Sequence, residues 1–231
     1  MIAALPCPPL SDMPPPPADP SPKSLAILEA ASRVFLAHGF SAATTDMIQR
    51  EAKVSKATMY ACFPTKEALF AAVIERQCAG THQAVSAIAV VPGNLAKTLT
   101  DIGLAYLRIV LSPEGLALLR VIVADAPRFP DLARRFHLAG PRVIIGMLAE
   151  RLGQAAQAGE VNVQAVGIDA AAALFISLVR GEGQLECLMH PESHPSAEQL
   201  DRWVRLAVTT FMAAFGTPGR GTQAPASPVM A

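Results

Sequence analysis

From Ser24 to Phe215 every long segment of the chain repeats its apolar residues at helical spacing, and each repeat breaks at a glycine or a proline. Helix formers outweigh strand formers: only 5% of the residues are aromatic, and the β-branched residues come singly inside longer helical patterns. The expected fold class is therefore all-α. With 231 residues, 52% of them hydrophobic and 16% charged, the chain can bury a sizeable core.

The two ends differ from the rest. Residues 1–22 and 216–231 are rich in proline and poor in large apolar groups, and are expected to be disordered tails. The start lacks both a basic region and an unbroken apolar stretch, so it is not expected to be a signal peptide. Charged residues or glycine interrupt every apolar run before it reaches membrane-spanning length. Cys7, Cys62, Cys78 and Cys187 show no paired spacing, which suits free thiols in a reducing compartment. These features together predict a cytoplasmic protein with no membrane partner.

The net charge is zero but unevenly spread. Residues 23–78 hold seven Lys and Arg against five Asp and Glu, and residues 79–231 hold twelve of each. Four of the five lysines, Lys23, Lys53, Lys56 and Lys66, fall in the first of these segments, giving it a modest basic surface.

That segment has its own punctuation. A first helix is expected from Ser24 to His38, burying Ile27, Leu28, Ala31, Val34 and Phe35, with Gly39 as a left-handed cap. Thr44 suits the N-cap of a second helix ending at Ala52, and Ser55 that of a third ending near Phe63. Two short helices joined by a tight turn make a helix-turn-helix. In the third, "SKATMYACF", Met59 and Phe63 anchor one face, leaving Lys56, Ala57, Thr58 and Tyr60 toward a partner. Lys56 can donate to guanine, Thr58 can bond a base edge or offer its methyl to thymine, and Ala57 allows close approach. Tyr60, Thr45, Ser55 and Lys66 suit phosphate oxygens, the last at the opening of a fourth helix capped by Thr65. Asp46 is expected to place a negative charge at the start of the second helix.

The segment "GFSAATTDMIQREAKVSKATMYACFPTKEALFAAVIE" resembles the DNA-binding domain of the tetracycline-repressor (TetR) family of bacterial regulators. Farther on, "RVIVADAPRFPDLARRFHLAGPRVIIGML" looks like the C-terminal domain of AefR-like and AcrR-like members. The resemblance implies a helix-turn-helix domain over 23–78 and a helical ligand-binding and dimerisation domain over 79–215. It further implies a homodimer on palindromic double-stranded DNA, usually a repressor released by a small-molecule effector. The chain departs from the pattern at Ala57 and Lys53, where glycine is common, and at Cys62, where His or Tyr often reaches phosphate.

The C-terminal half reads as further helices. Leu95, Leu99, Ile102, Tyr106 and Ile109 form one stripe, and Leu116, Leu119, Ile122 and Val123 another. The fourth helix is expected to end at Gly80, and Pro141 to restart a helix after "APRFPD". By the resemblance, the dimer contact falls on about 141–158 and 166–188, with Phe175 in it. Tyr106, Arg120, His137 and Met147 are candidate effector contacts, and an ion pair from Arg120 to Asp125 or Glu150 is the competing reading of that arginine. Cys187, His190 and His194 lack a fourth ligand for a metal. No nucleotide-binding, cofactor-binding or hydrolase motif occurs, so no enzyme and no cofactor is expected. A DNA-binding protein without an effector, or one answering to a protein partner, is the alternative reading.

Overall fold

The computed structural model describes residues 21–192 and 194–217. Among them ten α-helices follow one another: α1 (Pro22–Ala42), α2 (Thr45–Ala52), α3 (Lys56–Cys62), α4 (Lys66–Ser86), α5 (Leu95–Val110), α6 (Pro113–Asp125), α7 (Pro130–Ala139), α8 (Pro141–Gln157), α9 (Ile168–Met189) and α10 (Ala197–Phe215). No helix of the described residues is long and apolar enough to cross a membrane. The tails read from composition, and Cys7 within the first, lie outside the described residues apart from their inner ends.

Side-chain caps set the starts of the early helices. Thr44 accepts the N–H of Met47, Ser55 that of Thr58 and Thr65 that of Ala68, each satisfying a donor that the helix itself leaves orphaned. Lys53 closes α2 in the left-handed region at φ 54°, a conformation that strains a side chain by about 1 kcal/mol. Gly39 has a positive φ of 76°, but its ψ of 165° is extended, so a single turn to Ala42 follows the break. α4 runs past Gly80 to Ser86 because Thr81 and Val85 bury on the same side as Ile74 and Cys78.

Two cores form. In the first, Phe40 lies 5.7 Å from Phe35 and 5.0 Å from Phe70 between ring centroids, and Phe129 meets its edge at 4.7 Å. This core extends beyond the three-helix unit, since Leu118, Val121 and Ile122 of α6 and Leu132 and Ala139 of α7 are part of it. The stripe expected on α6 shifts accordingly. Val123 is 63% exposed, and Leu116, Leu118, Val121 and Ile122 are the buried residues, because α6 packs between α1 and the C-terminal helices. The second core gathers Leu99, Ile102, Leu148, Phe175, Val204 and Phe211 from α5, α8, α9 and α10. Here α9 and α10 touch through Gly183, where a Cβ would sit 2.7 Å from the Trp203 ring, so only hydrogen fits.

Candidate nucleic-acid interface and a buried cavity

α3 stands on Met59, fully buried against the first core, while Lys56, Ala57 and Tyr60 are exposed on the other side. Phe63, at its end, is half-buried. Tyr60 and Thr45 come together, their hydroxyl oxygens 3.3 Å apart, which joins the first turn of α2 to the outer face of α3. Lys56 reaches back to Asp46, Nζ to Oδ1 at 3.5 Å, with both side chains well exposed. A pair so exposed contributes about 0–1 kcal/mol, so it positions the ammonium without committing it. The Thr58 hydroxyl lies 2.8 Å from Ser55 Oγ, while Ser55 also accepts the Thr58 N–H. Both hydroxyls thus serve the cap, and the Thr58 methyl is what it can offer a base.

Lys66 is placed differently from the sequence expectation. Its ammonium donates to the carbonyls of Phe40 at 2.9 Å and Ala43 at 3.1 Å, and sits 4.5 Å from the Phe40 ring centroid. The physical reason is the break at Gly39, which leaves carbonyls of the following turn without helical partners. The same turn is held from the other side by Asp125, whose carboxylate accepts the N–H of Phe40 at 3.0 Å and the hydroxyl of Ser41 at 2.5 Å. Sequence reasoning missed this link, because nothing in the spacing joins residues 41 and 125.

Beyond this turn, a cavity of about 100 Å³ opens among α4 to α9. Of the four candidate contacts, only Tyr106 lines it. Arg120 instead donates to the carbonyls of Cys187 at 2.7 Å and Leu188 at 3.2 Å. These are among the last carbonyls of α9, which have no helical donor, and they draw the guanidinium away from both acids proposed for it. His137 is exposed on α7, and Met147 packs against the second core. The lining also includes Gln77, Cys78, Thr81, Arg180 and Gln184. A signal for Arg180 was present, since Ala172 and Ile176 are buried and 180 and 184 continue their four-residue step. Burial pushes the Tyr106 phenol up, Arg180 pulling the other way, and burial beside Glu75 pushes the Cys78 thiol up to about 12. Both groups are therefore protonated donors at neutral pH. A larger open cleft of about 730 Å³ lies at the far end, between the start of α5 and the end of α8.

α9 leaves Leu174, Leu178, Leu185 and Met189 exposed, and α10 leaves Leu206. By contrast α8 buries Ile144, Leu148 and Leu152 in the second core and exposes Glu150 and Gln154. Phe175 is fully buried, edge-on to Phe211 at 5.4 Å, and belongs to the core rather than to a surface. Cys187 is buried too, while His190 and His194 are exposed.

Residues 27–73 match the family described as bacterial regulatory proteins, tetR family, and residues 97–217 match the AefR-like transcriptional repressor, C-terminal domain. Uncharacterized HTH-type transcriptional regulators of Mycobacterium tuberculosis and Mycobacterium bovis are 28% identical over 163 residues, 68% of this chain and 74% of theirs. Among solved structures, the flavonoid-responsive regulator FrrA is 34% identical, covering 86% of this chain and 98% of its own, with a TM-score of 0.72. A TetR-family regulator from Mesorhizobium loti is 21% identical and shares the fold at a TM-score of 0.78, over 87% of this chain and all of its own.

Proposed function

Because the chain belongs to the TetR family of bacterial transcriptional regulators, with an AefR-like C-terminal domain, we propose that it is a homodimeric repressor that leaves a palindromic operator when a small, largely apolar molecule enters the cavity among α4 to α9. On DNA, α3 enters the major groove, where Lys56 reads guanine and Ala57 and the Thr58 methyl meet the base edges. Tyr60 and Thr45 hold a phosphate between them, and the amides at the starts of α3 and α4, beside Ser55 and Lys66, hold others. Two such helices, carried by a dimer formed on the exposed apolar faces of α9 and α10, meet successive grooves roughly 34 Å apart. The protein works in the cytoplasm, beside its DNA.

The observation that carries this reading is the course of α4. It begins at Lys66 beside the recognition helix and passes Gln77, Cys78 and Thr81, which line the cavity. A ligand that widens the cavity therefore displaces the helix whose first residue, Lys66, holds the turn between α1 and α2, the two helices against which α3 packs. Coupling of this kind is typically about 1–3 kcal/mol and is reciprocal, so the effector binds free protein more tightly than operator-bound protein by the factor with which it weakens DNA binding. FrrA is a flavonoid-responsive regulator, which makes aromatic molecules the first class to titrate. Calorimetric titration with and without operator, beside gel shifts at rising ligand, tests the cycle. Equal affinity of a tight ligand for both forms would sink the effector role.

A further inference from the structure

Resting on that regulatory reading, the geometry points to the chemical class of the effector: a single aromatic ring bearing a carboxylate, its ring on the apolar wall and its acid held by Arg180 and Tyr106. The volume comes first. About 100 Å³ is below the roughly 150 Å³ of a cavity that admits one benzene ring, so a single ring enters with a small widening, and it is well short of a pocket preformed for a larger ligand. The wall of Ile109, Val110, Leu118, Leu119, Phe136 and Ile144 suits the flat face of a ring.

The polar groups gather at one place. Arg180 stands immediately before the break of α9 at Gly181, φ 43°, and lines the cavity together with Gln184 and Tyr106. Arg180 is half-buried, and the ion pairs among the described side chains do not include it. A cation taken partly out of water loses hydration that only an anion or several acceptors can replace. A carboxylate fits best, because the planar fork of arginine meets its two oxygens at once. Tyr106 is buried and keeps its proton, so its hydroxyl can donate to the same carboxylate. Glu114, the acid on the lining, is exposed at the first turn of α6, where water screens it from an incoming anion.

Isothermal titration of the full-length protein with 4-hydroxybenzoate and with the uncharged 4-hydroxybenzamide tests the assignment. The acid should bind about tenfold or more tightly than the amide. Arg180→Gln should weaken the acid by about 10- to 100-fold and leave the amide unchanged, and Tyr106→Phe should weaken the acid less. Melting curves without ligand establish that both variants fold. Equal binding of the two probes, indifference of the acid to Arg180→Gln, or failure of both probes to bind overturns the acid class. If the amide alone binds and releases operator DNA, the acid class fails while the effector reading stands.

Discussion

Asp125, the last residue of α6, accepts hydrogen bonds from the backbone of Phe40 and from both the backbone and hydroxyl of Ser41, 84 positions away in sequence. A carboxylate receiving three donors across the boundary between the two halves is a mechanical link as well as a local cap. Asp125→Ala should lower stability by about 1–3 kcal/mol, because the orphaned donors lose a charged partner. Ser41→Ala should cost less, and the double variant less than the sum of the two, since both remove one interaction. Urea midpoints with an unchanged denaturant slope are the measurement.

The two lysines at the recognition helix should behave differently. Lys56→Ala should weaken operator binding by about 1–3 kcal/mol and relax sequence preference, because its ammonium is held only by an exposed pair with Asp46. Lys66→Met should instead lower the unfolding free energy by about 1–3 kcal/mol and leave the salt dependence of DNA binding unaltered. Gel shifts at several salt concentrations separate the cases, and a shallower salt slope in the Lys66 variant would restore it as a phosphate anchor.

Neighbouring residues on α9 should give opposite phenotypes. Leu178→Glu places a charge on a side chain already 40% exposed, so the subunit should stay folded and sediment as a monomer that binds operator weakly. Phe175→Glu buries a charge in the second core and should unfold that half. A folded Leu178→Glu dimer would place the contact elsewhere.

His82 predicts an acid sensitivity. Burial holds its imidazole below the ordinary value, against a hydrogen bond to the Ala139 backbone, and its Nε2 is buried with no partner. The unfolded chain then takes up a proton that the native chain resists, so this contribution is complete above pH about 6.5 and is lost as the pH falls through the depressed native value. His82→Gln should flatten the decline of stability below pH 6.5, read from urea midpoints at stepped pH.

The helices and their caps were legible because each start depends on one side chain within its own turn, as with Thr44, Ser55 and Thr65. The exposed face of α3 was legible for the same reason, since its register follows from Met59. The uses of polar groups across the fold were not. Lys66 and Arg120 each carry an ammonium or guanidinium to carbonyls distant in sequence, and periodicity says which face a residue occupies but not which orphaned carbonyl lies opposite. Val123 shows the converse limit: an apolar residue in phase with a stripe is left exposed because the helix beneath it is shared between two cores.

The shared first core also bears on how such chains can be recombined. A chimaera that grafts residues 21–86 onto the C-terminal half of another regulator keeps Phe40 but leaves Phe129 behind, and keeps Ser41 without Asp125. The transplanted reader would carry a raw apolar scar where α6 and α7 had lain. The unit to exchange is therefore the discontinuous pair of segments 21–86 and 113–139, and a swap designed on that pair preserves the packing of α6 and α7 on the N-terminal helices.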